Sequence, residues 1–251
     1  MTNIETDASS ACALARANIY GLLTKAFLHP TDQMLAYIQL PEHKANLMLY
    51  VSLAPQQGIE QPFEKLVASS RAASAGREKL DAEYHRLFAH LGSARCPPYE
   101  TEYGIENVFQ KTEAMADIAG FYRAFGLEVA DKNRDRVDFI GTQLEFMKYL
   151  ALNEAYGREQ GERQQTDIAI DAQRKFLCDH LGRWAGSFSN TLLNNTENQF
   201  YRALGTTVHI MIDTDTELLG VDPRASMLSP HVQARFAEPF ECHHCEATRR
   251  V

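Results

Sequence analysis

Among the residues whose type and spacing could do chemistry, Cys242-His243-His244-Cys245 comes first, because two thiols separated by two residues can grip one zinc ion. A structural zinc needs four ligands, no second Cys-x-x-Cys stands in the chain, and adjacent histidines cannot easily both turn to the ion their flanking cysteines hold. Cys242 and Cys245 are therefore half a metal site, one that a second subunit could complete as a dimer clamp, against the plainer expectation of a mobile tail. Other chemistry is sparse. A phosphate-cradling Gly-x-x-x-x-Gly-Lys run, a Gly-x-Ser-x-Gly elbow and a His-Glu-x-x-His helix are all absent, which counts against the common enzyme classes. Glu113 and Asp117, at i and i+4, read as a solvated helix face, and His85, His90, His180 and His209 as surface or packed histidines with no second ligand at useful spacing.

The remaining chemistry is that of recognition. Tyr84, Leu87, Phe88 and Leu91 recur at helical spacing and run into a segment that combines Cys96, Pro97, Pro98, Tyr99 and Tyr103 with Glu100 and Glu102. Two consecutive prolines stiffen the backbone and withhold two amide donors, so the loop holds its shape at little entropic cost on binding. It sets flat aromatic area beside carboxylates and offers no obvious nucleophile. Core packing competes as a role for Tyr84, Leu87 and Phe88, because aromatic residues on a helix face are usually buried.

The elements that must position these residues read as helix after helix. Ser9 or Ser10 is expected to cap a first helix lined by Ala15, Ile19, Leu22 and Leu23, ending at His29-Pro30. Met34 to Leu40, a run opened by Pro41, and a run opened by Pro62 follow, and Ser69 to Gly76 reads as a break or exposed turn. Further helices are expected over Arg77 to Leu91, Glu106 to Phe125 with Gly126 as its cap, and Val137 to Gly157, then a charged loop over Gly157 to Gln165. Thr166 or Asp167 should cap the next helix, and another spans Glu197 to Leu219, its strand-like Val208 to Ile212 overruled by helical periodicity on both sides. The result is an all-α, single-domain helical bundle with an irregular tail from about residue 222. Its 33 acidic against 25 basic residues give a formal charge of −8. That balance speaks against nucleic acid and accommodates a cationic peptide or protein surface. Five cysteines, an odd number, fit a reducing compartment, and an acidic N-terminus with no long apolar run fits a cytoplasmic protein without membrane insertion.

Tyr84-His85-Arg86-Leu87-Phe88, Cys96-Pro97-Pro98-Tyr99-Glu100-Thr101-Glu102-Tyr103-Gly104 and the run from Arg136 to Met147 resemble the TorD/DmsD/NarJ family of maturation chaperones. The resemblance covers the middle of the chain and implies an all-helical cytoplasmic chaperone, monomeric or homodimeric, with no cofactor and no catalysis of its own. Its implied partner is the immature catalytic subunit of a molybdenum oxidoreductase of the dimethyl sulfoxide reductase class. Such chaperones often hold the twin-arginine signal peptide until the molybdenum cofactor is inserted. The loop looks most like the branch serving selenate, chlorate, dimethyl sulfide or ethylbenzene oxidoreductases. The family's aromatic-x-x-Leu-Phe motif falls on Tyr84, Leu87 and Phe88, and its loop proline on Pro97 or Pro98. Of its Glu-x-Asp-His motif only Asp138 is kept, since Arg136 replaces the Glu and Phe139 the His. The expected peptide site has an apolar floor of Tyr84, Leu87, Phe88, Pro98 and Tyr99, with Glu100, Glu102 and Asp138 meeting the client's arginines. A metal-binding helical-bundle enzyme or adaptor centred on Cys242 and Cys245 is the rival reading.

Overall fold

The computed structural model describes residues 3–53, 58–88, 94–104, 107–129 and 136–223, with side chains from residue 9. Among the described residues ten α-helices follow one another: α1 (Asn3–Ala26), α2 (Asp32–Ile38), α3 (Pro41–Leu53), α4 (Glu60–Ser74), α5 (Arg77–Phe88), α6 (Val108–Ala124), α7 (Ile140–Gln160), α8 (Arg163–Phe176), α9 (Gly182–Asn195) and α10 (Gln199–Leu218). No strand occurs among the described residues, only an isolated antiparallel bridge between Tyr99 and Phe139. The all-α expectation holds, and Val208 to Ile212 lies inside α10.

Helix α1 is the central element, packed along α7 and against α3, while α10 packs on α4 and α9 and α8 follows back along α7. The α1–α7 contact is close. Ser10, Ala17 and Gly21 fall on one face by spacing; the Ser10 hydroxyl donates to the Ala155 carbonyl at 3.0 Å, and a Cβ on Gly21 would meet the Lys148 side chain at 3.3 Å. Ser10 is thus a mid-helix contact and not the expected cap, since α1 already begins at Asn3. Below this layer the buried aromatic rings form a continuous cluster, in which Phe27 meets Phe88 and Phe188, and Phe188 meets Trp184 and Tyr103.

Several boundaries differ from expectation. Helix α4 runs through Ser69 to Ser74, whose alanines favour helix, and the turn is confined to Ala75 and Gly76. The charged run Gly157 to Gln165 is mostly helical: α7 continues to Gln160, the chain turns at Gly161, and α8 starts at Arg163. Thr166 consequently caps nothing and lies against Gly157, where a Cβ would come within 2.6 Å of the threonine hydroxyl. Residues 130–135 and the tail from residue 224 lie outside the described residues.

Candidate functional site

The loop 97–104 is tied to the segment 136–140 that leads into α7. Ile140 donates its amide to the Pro98 carbonyl at 2.9 Å and Glu100 donates to the Asp138 carbonyl at 3.0 Å, framing the Tyr99–Phe139 bridge. Asp138 is fully buried and accepts from the Thr101 amide (3.2 Å), the Thr101 hydroxyl (2.8 Å) and Arg136 Nε and Nη2 (2.9 and 2.8 Å). The same guanidinium lies 4.3 Å from the centre of the Tyr99 ring, within cation–π range. Glu102 sits half-buried between Lys111 Nζ at 3.0 Å and Arg136 Nη1 at 3.6 Å. Burial by itself would lower the Arg136 pKa, but the hydrogen bonds and charge of Asp138, then the charge of Glu102, hold it above its ordinary value.

Glu100 is buried and turned inward. It accepts from Gln143 Nε2 and from His180 Nδ1 at 3.0 Å, and Gln143 in turn accepts from the Trp184 indole at 2.9 Å. On its other side the imidazole faces Asp117, whose Oδ2 is 3.3 Å from Nε2 without an aligned hydrogen bond. His180 reaches this position from a π-helical turn, Leu177–Leu181, and the glycine that follows is required for it: a Cβ on Gly182 would lie 2.4 Å from the Leu177 carbonyl oxygen. The chain from Asp117 to Trp184 is therefore a polar thread through the apolar interior, with every link joining a different element.

The structure thus brings Tyr99, Glu100, Glu102 and Asp138 together, but Glu100 and Asp138 face protein partners. Leu87 and Phe88 enter the core, where the Phe88 ring meets Phe27, Tyr84 and Tyr201. Tyr84 and Pro97 are half-buried and Pro98 is buried. The Leu87 carbonyl also accepts the Cys96 amide at 3.1 Å, which pins the start of the loop to α5. Cys242 and Cys245 lie outside the described residues, and among those described one group of metal-ligating side chains converges, His29, Asp81 and His85.

Two surface features beside this framework were not singled out by sequence reasoning. A cleft of about 420 Å³ opens between Leu127–Val129 and α7, with Tyr122, Phe146, Tyr149 and Leu152 in its lining and the exposed carboxylates of Glu128 and Glu145, outnumbering the one cation Lys148, in its wall. It adjoins the loop framework directly, because the Tyr122 hydroxyl donates to the Val137 carbonyl at 2.8 Å. At the start of α6, next to Lys111, Val108 and Phe109 project into solvent, Phe109 with 84% of its surface exposed.

A second polar network lies inside the bundle. Arg16 of α1 is buried and donates to Asp215 from Nε (2.9 Å) and Nη2 (2.8 Å), to Glu154 from Nη1 (3.0 Å) and to Gln173 from Nη2 (2.7 Å). Tyr20 and Tyr50 donate their hydroxyls to Asp215 at 2.7 and 3.1 Å. Burial opposes the Arg16 charge, yet Asp215 and then Glu154 raise its pKa well above the ordinary value. Both tyrosines are pushed up, first by burial and then by the Asp215 charge. The network joins α1, α3, α7, α8 and α10 and borders a cavity of about 280 Å³ that also touches Cys12, Arg158 and Arg174. A clue was present in the sequence: Arg16 interrupts the apolar stripe of α1, and Asp215 continues the Val208–Met211 stripe of α10.

A helical bundle with a rigid loop-and-helix framework beside an aromatic, acid-rimmed cleft defines a scaffold suited to holding another polypeptide. Residues 53–190, just over half of the chain, match the family model described as nitrate reductase delta subunit, and the chain belongs to that family. It is similar to the chlorate reductase assembly chaperone protein of Ideonella dechloratans, 30% identical over 156 residues that cover 60% of this chain and 76% of that one. It is also similar to the chaperone protein TorD of Vibrio cholerae serotype O1 (strain M66-2), 24% identical over 179 residues, 69% of this chain and 78% of the other. The perchlorate reductase assembly chaperone protein of Dechloromonas aromatica (strain RCB) is 23% identical over 209 residues, 82% of this chain and 90% of that one. The expected kinship with TorD-like maturation chaperones is borne out. No helix among the described residues is long and apolar enough to cross a membrane.

Proposed function

We propose that this chaperone holds the immature catalytic subunit of a molybdenum-containing reductase, performs no bond-making of its own, and grips its client through a basic-then-apolar segment of the twin-arginine signal type. The observation that carries the reading is the juxtaposition of two surfaces. The Glu128–Glu145 wall supplies carboxylates for guanidinium groups and the Tyr122–Phe146–Tyr149 cleft beside it accepts an apolar stretch, while Glu102 is already paired with Lys111 and Arg136. Net charge supports the same partner, since a chain at −8 draws a cationic segment towards it. Tyr99 and Tyr84 then contact the client, whereas Glu100, Glu102, Asp138, Leu87, Phe88, Pro97 and Pro98 fix the shape of the loop. The names of the relatives favour a chlorate- or perchlorate-type reductase as the client. Solution in the cytoplasm, before export, is where such a capture is useful.

Calorimetric titration with a client signal peptide tests this. Each carboxylate that meets a guanidinium contributes about 1.5–3 kcal/mol if desolvated, so Glu128→Gln or Glu145→Gln should weaken binding by about tenfold or more and flatten its salt dependence. Tyr149→Ala should lower affinity without changing the salt dependence. Unchanged affinity in all three variants would remove both surfaces from client recognition.

A further inference from the structure

Three side chains outside the cleft and its framework converge beside Tyr84. His29 stands in the turn leaving α1, between half-buried Leu28 and buried Pro30, and Asp81 and His85 stand one turn apart on α5. His29 Nε2 lies 2.7 Å from Asp81 Oδ1, His85 Nε2 lies 3.7 Å from the same oxygen, and one donor atom from each residue falls within 4.8 Å of the other two. The two imidazole rings are 5.4 Å apart, and the Tyr84 ring stands edge-on to His29 at 5.4 Å, limiting how far that ring can swing. Both histidine side chains keep about half their surface in solvent, 50% and 53%. An ion can therefore arrive without opening the fold.

We propose that His29, Asp81 and His85 form a binding site for one divalent transition-metal ion, zinc foremost, with a fourth position left to water. Two imidazoles and a carboxylate suit zinc, copper or nickel, whereas calcium and magnesium favour oxygen ligands. Spacing agrees as well. Ligands at i and i+4 share one helix face, and the third comes from a separate element, so the ion would tie the end of α1 to α5. With arms of about 2.0–2.1 Å, tetrahedral coordination sets neighbouring donors about 3.3 Å apart. The short contact of 2.7 Å has to open, the long one of 3.7 Å has to close slightly, and the two histidine donors, within 4.8 Å of each other, have to draw in by a rotation of the half-exposed His85 ring. Asp81 Oδ1 supplies the second observation: it is enclosed and lacks an aligned hydrogen-bond donor even though an imidazole nitrogen is near. A cation between the three groups would satisfy that oxygen. Sequence reasoning passed over His85 because its partner lies on another helix end, 56 positions earlier in the chain.

The test uses the full chain carrying Cys242→Ser and Cys245→Ser, so that tail thiolates cannot contribute. Cobalt(II) and zinc(II) titrations should give one ion per chain, with the visible absorption of four-coordinate cobalt, and zinc should raise Tm. Adding His29→Asn with His85→Asn should abolish the cobalt spectrum and the zinc-dependent rise in Tm while leaving the metal-free Tm close to that of the parent. Asp81→Asn should weaken binding by at least tenfold. Equal stoichiometry and affinity in the double-histidine variant, or no cobalt spectrum in the parent, would overturn the site and leave a simple polar contact between Asp81 and the two imidazoles.

Discussion

At the residue scale, the departure from the family's Glu-x-Asp-His motif is explained by what the substituted residues touch. Arg136 supplies the countercharge that buried Asp138 requires, and Phe139 replaces an imidazole's hydrogen bonds with a ring contact to Tyr99, centroid to centroid 5.9 Å. The Phe139 ring also fills the space over Gly141, where a Cβ would come within 2.5 Å of its edge. Gly141→Ala should therefore destabilise the fold by about 1–3 kcal/mol, as overpacking does, and a lowered urea midpoint would register it. Asp138→Asn keeps the shape but weakens the charge-assisted bonds to Arg136 and leaves the amide to satisfy Thr101. Because Arg136 is partly solvated, the loss should stay near 1–3 kcal/mol, and the protein should lose protease resistance first within residues 97–104. Residue identities made the loop conspicuous in the sequence, and Tyr99, Glu102 and Asp138 do meet there. Which carboxylates face inward was not legible, because Glu100 turns towards His180 and Gln143, residues that sit 80 and 43 positions away.

At the element scale, helix identity was readable from periodicity, and the misread boundaries share a physical cause. Polar runs such as Ser69 to Ser74 and Gly157 to Gln160 lack an apolar stripe, yet good helix formers, alanine in the first and Arg-Glu-Gln in the second, keep them wound. Long-range polar packing left almost no trace in spacing. Arg16, Asp215, Glu154 and Gln173 lie on four helices and form one network, in which Arg16 meets both carboxylates and Arg158 supplies the second cation to Glu154. Removing one member strands the others in a dry interior, so Asp215→Ala should cost about 3–5 kcal/mol. Replacing several members at once should be gentler. A combined Arg16→Met, Asp215→Leu, Glu154→Met chain should be less destabilised than the sum of its single variants, which a set of urea denaturation curves would reveal as strong non-additivity. Additive losses would mean that the helices tolerate each charge independently.

For the molecule as a whole, the burial of titratable groups dictates an asymmetric dependence of stability on pH. Tyr20, Tyr50, Tyr103, Tyr122 and Tyr201 and the Cys96 thiol all have pKa values raised in the fold, each principally because burial disfavours the charged form. A raised folded value means that the native state keeps its proton where the unfolded chain has released one. Their stabilisation is therefore complete below the ordinary cysteine and tyrosine values, about 8.5 and 10, and is lost as pH climbs from there towards the folded values. Each such group steepens the fall by at most about 1.4 kcal/mol per pH unit, so several acting together should unfold the protein within a narrow alkaline interval. Deprotonation also adds to a chain that is already at −8, in the same direction. On the acid side, Glu83 is held below its ordinary value by the hydrogen bond from Arg86, burial opposing, with Thr196 assisting; its contribution is present above the ordinary glutamate value and is lost as pH falls through the folded one. Urea midpoints should be nearly level from about pH 6 to 8 and drop steeply above about pH 9–10. Tyr50→Phe separates this cause from general charge repulsion: it gives up one hydrogen bond to Asp215, about 1 kcal/mol at neutral pH, but should make the alkaline decline shallower. A decline of unchanged slope in that variant would assign the alkaline loss to repulsion at the surface instead of to the buried hydroxyls.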